Sequence, residues 1–444
     1  MVPDLRHPLA AVAGALLLAL PWVVVGLGGV GLTTGATVFI TGLAVLGASF
    51  LLAWGAETAE KDVPRAFALA VLAVLAVAPE YAVDAFYAWT AGQFAGTERG
   101  MEAANLAVAN MTGANRILIG IGWSGIALFT IYRAAASTDP AVVARPGFLA
   151  DQVRLDRDIA VEITFLLLAT AWAFLVPYGG GIDALDTVLL VGLYLTYILV
   201  IIRADVETAE AHVGVPAYLQ TYPRWKRVAT VVGLFLLSGV LILTAVEPFA
   251  HGLEALGIAY GLPPFFMIQW IAPLASEAPE LVVVAYLVNK ARSTAGFNTL
   301  ISSKLNQWTL LIGTLAVVYS LALGRYGVLP FDAKQAAEIW LTAAQSFFAI
   351  AVLVNFRISG REAVVLLVLF LSQVFLEFAM LRGMVTLPID VHGVLIAFSV
   401  VYVVLGAVLF ALRWDSLVLI LRATLNRTRA ALAGEVHEPT DEEP

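Results

Sequence analysis

The sequence predicts an all-α polytopic membrane protein, built as an inverted repeat of five plus five transmembrane spans with an additional helix at each end, about twelve spans in all. Three observations lead to that fold. First, 61% of the 444 residues are hydrophobic and 13% are charged, with a mean hydropathy of +0.89, and the apolar runs are long enough to cross about 30 Å of hydrocarbon. Second, Ala78-Pro79-Glu80 recurs as Ala278-Pro279-Glu280 at an offset of 200 residues, and Pro64 and Pro264 each stand sixteen residues before the glutamate. Third, Lys and Arg gather on alternate connections between the runs. Strand-like alternation is absent and the runs are rich in Leu, Ala and Val, which argues against a β-barrel. With no cysteine, disulfides, thiolate sites and cysteine nucleophiles are excluded.

The candidate spans fall near 8–30, 36–56, 66–90, 103–132, 158–178, 184–202, 228–249, 265–289, 298–322, 337–356, 363–381 and 391–412. No small-residue cleavage site follows the first of them, so it reads as a span rather than a removable signal peptide. Counted around these spans, nineteen Lys and Arg lie on the side of the N-terminus and four on the other, while Arg116 and Lys304 lie within spans. The positive-inside rule then places both termini in the cytoplasm of a cell (inner) membrane protein. Glu80 sits in the third span and Glu280 in the eighth. Five crossings separate them, so the two copies run in opposite directions through the bilayer.

The organisation that follows is an N-terminal extra span (1–35), a first repeat half (36–203), a cytoplasmic linker (204–227), a second half (228–383), a C-terminal extra span (384–412) and a cytoplasmic tail (413–444). Residues 413–432 read as a basic amphipathic helix at the inner surface, and the last ten residues as disordered.

The polar residues inside this apolar frame point to ion chemistry. An ionised side chain at mid-depth costs a few kcal/mol or more, so such residues are functional candidates. Proline before each glutamate removes a backbone donor and frees carbonyls of the preceding turn. Carbonyls beside a carboxylate make an oxygen-rich site that suits hard cations such as Na⁺ and Ca²⁺. One buried glutamate could simply cap a neighbouring helix; two, in inverted copies, argue for a shared site. Glu80 and Glu280 are therefore the candidate metal ligands, with Asp84, Ser276 and Glu277 beside them on the same helices. The next span of each half carries a hydroxyl-x-x-Asn element, Thr112 to Asn115 and Ser303 to Asn306, with Asn105, Asn110 and Ser302 nearby. Single hydroxyls and amides of this kind also serve as plain interhelical hydrogen bonds.

A Pro-Glu helix followed by a small and amide-rich helix, present twice in inverted halves of five spans, resembles the α-repeats of the calcium/cation antiporter superfamily, whose best-known members are sodium/calcium exchangers. The resemblance covers residues 36–381 and extends to Arg154-Leu-Asp-Arg-Asp158 ahead of the fifth span. It implies a ten-span core, a midplane cation site and exchange by alternating access. Glu80 and Glu280 match the paired acidic ligands, and Ser302, Asn306, Thr112 and Asn115 the Gly-Ser-Asn helix. Family members usually carry Gly-Thr-Ser before the x-Pro-Glu motif; here the corresponding positions are Ala76 and Val77 in one copy and Ser276 and Glu277 in the other. One half has lost hydroxyl ligands and the other has gained an acid.

Two cations enter the same helices. Glu80, Asp84, Glu277 and Glu280 against Arg116 and Lys304 leave two negative charges, which one Ca²⁺, two Na⁺ or two protons would neutralise. Lys304 or Arg116 would then act as a tethered cation in the place of a coupled Na⁺, unless each snorkels to an interface. Glu162, Glu338 and Glu377 also lie in spans, where roles at helix starts or in packing are expected. The expected function is secondary antiport of Na⁺ or Ca²⁺ against H⁺ or Na⁺, with inorganic cations and the lipid bilayer as partners, no nucleic acid and no cofactor. The alternatives are a proton-coupled carrier of another ion and a receptor or scaffold that keeps the fold without transport. An intramembrane enzyme ranks last, because His-Glu-x-x-His and Gly-x-Ser-x-Gly are both missing.

Overall fold

A computed structural model describes residues 7–29, 31–63, 78–134, 139–203 and 214–433, without the side chains of Asp158, Pro279, Leu432 and Ala433. Pro64, Arg65, Ala76, Val77, the linker residues 204–213 and the tail from 434 lie outside the described residues. Helices dominate because each apolar run must satisfy its own backbone in lipid. In order they are α1 (Pro8–Gly28), α2 (Thr34–Ala59), α3 (Ala78–Gln93), α4 (Glu98–Ile117), α5 (Ser124–Ala134), α6 (Ala160–Ala173), α7 (Ala184–Arg203), α8 (Val215–Leu219), α9 (Arg224–Ala259), α10 (Pro264–Asn289), α11 (Ser293–Asn306), α12 (Ile312–Leu323), α13 (Ala333–Leu353), α14 (Gly360–Leu381), α15 (Val391–Leu412) and α16 (Trp414–Ala433).

Among the described residues ten helical stretches are long and apolar enough to cross a membrane, and α10, bent by 50° between Ala278 and Glu280, makes an eleventh. The bend falls at the Pro-Glu motif, where the lost backbone donor loosens the helix. Helix α3 is the described part of the remaining span. Two helices each widen into one π turn, Leu118–Trp123 between α4 and α5 and Gln307–Leu311 between α11 and α12. The wide turns fall at matching points of the two halves.

Helices α2 and α9, the first of each half, pack along one another. Their ends on one face are joined by a two-pronged ion pair, Arg227 Nε to Asp62 Oδ2 and Nη2 to Oδ1, both 2.5 Å, and the guanidinium holds the Asp62 carboxyl below the usual carboxylate range. The described part of the linker is docked rather than loose. Short α8 packs on α1 and α2, Lys61 Nζ donates to the Gln220 carbonyl and Gln220 Nε2 to that of Glu57. Helix α9 begins at Arg224 and runs to Ala259, well past the apolar stretch 228–249 that announces it, because Gly252 and Phe249 still pack on α2. The outer helices cover the flanks, α1 on α2 and α15 on α13, and α16 lies across α6 and α7.

Four short strands tie the halves to each other. Gln152–Arg154 (β2), just before α6, pairs antiparallel with Arg357–Ser359 (β5), which joins α13 to α14, and Val142–Val143 (β1) adds to β2. At the opposite end of the same helices Gly181–Ile182 (β3), after α6, pairs with Leu329–Pro330 (β4), before α13. Exchanging the halves converts one pairing into the other.

Two glycines let helices cross with backbone close to backbone. A Cβ on Gly113 of α4 would lie 1.8 Å from the Gln269 carbonyl oxygen of α10, and one on Gly92 of α3 would lie 2.4 Å from the Tyr319 carbonyl oxygen of α12. Both obstacles are backbone, which yields less readily than a side chain. Gly113→Ala should therefore cost about 3 kcal/mol or more, the upper range for overpacking, and lower the melting temperature in detergent by several degrees. An unchanged melting temperature would show that the α4–α10 crossing is slack.

Candidate cation site

The crossings bring the Pro-Glu helices of both halves to the centre, α10 lying against the amide-bearing α4 and α3 against α12. Glu80 enters from α3, 2% exposed, and Glu277 from α10, 3% exposed. The Glu277 carboxyl lies within hydrogen-bonding reach of Glu80 on one side and Glu280 on the other, while among the described residues no N–H or O–H group bonds the Glu80 oxygens. Two buried carboxylates in contact repel unless a proton or a cation lies between them. Gln307, in the second π turn, donates from Nε2 to Glu277 Oε1 at 2.5 Å, and Ser303 donates to Glu280 Oε2 at 2.9 Å. The i to i+4 spacing of Ser303 and Gln307 puts both on the face that meets α10.

Lys304 is fully buried, so the snorkelling alternative fails for it. Its Nζ donates to the Asn115 side-chain oxygen at 2.7 Å and the Asn115 carbonyl at 3.3 Å, and lies 4.3 Å over the Trp308 ring. From there it faces Glu80 and Glu277. A residue of the second half thus lodges on an amide of the first.

Asp84, fully buried, accepts from Asn110 Nδ2 at 2.9 Å and adds its charge to the neighbourhood of Glu80. Other expected ligands point elsewhere. Asn115 spends its side-chain oxygen on Lys304 and its Nδ2 on the Met111 carbonyl. Thr112 donates to the Val108 carbonyl of its own helix, and Ser276 to that of Pro273. Ser302 turns toward Tyr197 of α7. Asn306 is buried on the face of α11. Asn105 pairs with Asp332 near the β3–β4 end, away from the acids. Ala76 and Val77 lie outside the described residues.

Arg116 requires a correction. It is buried, 1% exposed, yet its partner is Glu338 of α13 at 2.9 Å rather than the central acids, and its guanidinium stacks 4.7 Å over Trp270. Glu338 also holds Lys334 Nζ at 2.9 Å; Lys334 reaches Glu377 at 3.4 Å, which Gln373 bonds at 3.1 Å. Glu338 and Glu377, expected at helix starts or in packing, are the acids of a separate, charge-balanced cluster toward the β3–β4 end. Arg116 therefore leaves the balance of the central site, where four carboxyl groups face the single ammonium of Lys304 among the described residues. Gln307 escapes a reading based on the Ser-x-x-Asn element, although its place one turn after Ser303 was a usable signal. Among the described residues no three His, Cys, Asp or Glu side chains stand in metal-holding geometry. Hydroxyl, amide and carbonyl oxygens would have to complete a cation's shell.

The profile of the family described as sodium/calcium exchanger protein matches residues 20–203 and 230–379. The solved structure described as the H⁺/Ca²⁺ exchanger CAX is 40% identical over 96% of this chain and 99% of its own, with a TM-score of 0.83. Native YfkE shares the fold at 13% identity over 83% of this chain and 98% of its own, with a TM-score of 0.54. No curated protein matches in sequence.

Proposed function

Because this chain belongs to the sodium/calcium exchanger family, a family of membrane cation antiporters and not of enzymes, we propose that it exchanges Ca²⁺ for protons by alternating access, with both termini in the cytoplasm. The observation that carries this reading is the meeting of Glu80 and Glu277 from opposite halves beside a fixed ammonium. Touching carboxyl groups bind either protons, which let them share a hydrogen bond, or a divalent cation, which bridges them. The ammonium of Lys304 occupies the side where a coupled monovalent cation would add its charge. Four ionised carboxylates against that ammonium leave three negative charges, which one Ca²⁺ and one proton would balance. The relative named an H⁺/Ca²⁺ exchanger supports the same pairing of ions.

Flux in proteoliposomes under separately imposed gradients tests it. A pH gradient should drive Ca²⁺ movement against its own gradient, and a Na⁺ gradient of the same size should not. Ca²⁺ movement driven by Na⁺ alone would overturn the choice of coupling ion.

A further inference from the structure

We propose that the loop joining β1 to β2, together with the start of α14, forms a binding site for the phosphate of an anionic phospholipid headgroup. The loop, residues 144–151, belongs to the first half and α14 to the second. Backbone bonds clamp them together, the Gly360 N–H donating to the Asp151 carbonyl and the Arg361 N–H to that of Leu149, both at 3.0 Å. Between them lies a cavity of about 370 Å³ lined by Arg145, Pro146, Ala150, Gln152, Ser359 and Arg361, within the size range of small-molecule sites.

The lining suits an anion. Arg361 is aimed by the loop, since its Nε donates to the Phe148 carbonyl at 2.8 Å and its Nη2 lies 3.2 Å from where a Cβ on Gly147 would stand. Gly147 holds φ +123°, a conformation open to glycine, and so lets the guanidinium fork nest against bare backbone. Leu149 holds φ +51°, where a non-glycine residue stays only if its surroundings fix it. Arg145 lies near the other end of the loop, its N–H bonded to Asp151 Oδ1 at 2.8 Å. Among the described residues neither guanidinium is paired with an acid. Glu362, next to Arg361, spends its oxygens on Arg413 and Ser359. The positive end of α14 opens on the same cavity through Ser359 and Arg361.

Two further features favour a lipid phosphate over a bare anion. The Gln152 side-chain oxygen is buried and has no donor among the described residues, and a buried acceptor calls for an O–H or N–H group. A glycerol headgroup supplies a hydroxyl beside its phosphate. Phe148 in the same loop is 83% exposed, and the loop stands where α6 and α14 begin their crossings, the level at which aromatic rings anchor in headgroups. The site depends on no choice of coupling ion. By joining the halves it would let the lipid steady one against the other.

The test adds dihexanoyl phosphatidylglycerol, dihexanoyl phosphatidylcholine or glycerol phosphate to the full chain in neutral detergent, and follows melting temperature and, by calorimetric titration, affinity. Phosphatidylglycerol should raise the melting temperature and bind roughly tenfold tighter than either of the others. Arg145→Gln and Arg361→Lys should each weaken that binding roughly tenfold or more, the first by losing a charge-assisted bond and the second by losing the fork while keeping the charge. Arg154, exposed on β2 outside the cavity, is the control, and Arg154→Gln should leave binding within about twofold, as for any screened charge at a distance. Equal weakening by Arg154→Gln, or none by Arg361→Lys, would mark diffuse surface charge and overturn the site. Glycerol phosphate binding as tightly as the lipid would overturn the lipid as the source of the phosphate. No preference for phosphatidylglycerol over phosphatidylcholine would overturn the proposal outright.

Discussion

Glu80→Gln should abolish exchange, lowering it by about a hundredfold or more, while leaving the protein at least as stable as wild type. The two parts of this outcome have one cause. At an effective dielectric near 20, two charges about 4 Å apart repel by about 4 kcal/mol, and among the described residues Glu80 meets Glu277 with no N–H or O–H group bonded to its oxygens. An amide in its place removes the repulsion and can donate to Glu277. The same change removes a group that must alternate between a proton and a cation. Transport activity against melting temperature decides the matter: exchange retained in Glu80→Gln takes Glu80 out of the site, and a collapse of melting temperature shows that the carboxylate was structural. Glu280→Gln should lose exchange as well, through the bond from Ser303.

The second large effect is expected at Lys304. Its ammonium is fully buried and bonded to Asn115 from the other half, so Lys304→Ala empties a cation position and frees two oxygens that face it. The variant should be less stable than wild type without added ions, by about 3–5 kcal/mol, as when one partner is removed from a buried charged pair. It should then be rescued by Na⁺ or Ca²⁺, since a ligand at a hundred times its Kd stabilises by about 2.7 kcal/mol. Melting temperatures of wild type and variant against Na⁺ and Ca²⁺ decide it. Identical ion responses in the two proteins would sink the tethered-cation idea and leave the exchanger fold untouched.

Much of the fold was legible in the sequence because the bilayer enforces it. Spans must be apolar and long, positive charge marks alternate connections, and the repeated Ala-Pro-Glu registers one half on the other. The central acids were legible for a related reason, since an ionisable side chain in hydrocarbon is costly and so stands out as a functional candidate. What the sequence hid were partners. Arg116 and Lys304 look alike as lone cations in matching helices, yet one belongs to Glu338 and the other to Asn115, and nothing local in either helix distinguishes them. Tyr197 and Gln307 were hidden similarly, because a tyrosine or an amide in a span is unremarkable until its neighbour is known. Thr112 and Ser276 show the converse: a hydroxyl of suitable type spent on its own helix backbone.

The strand pairings also bear on how the chain is made. Gln152–Arg154, paired on one side with Val142–Val143, finds its second partner only when Arg357–Ser359 emerges, and Gly181–Ile182 its partner only when Leu329–Pro330 does. During synthesis the first half is therefore inserted with two strand edges unpaired, at opposite membrane surfaces, until most of the second half has followed. Unpaired edges are the places where a waiting chain finds wrong partners. The late strands close both edges before the last three helices, α14 to α16, are made.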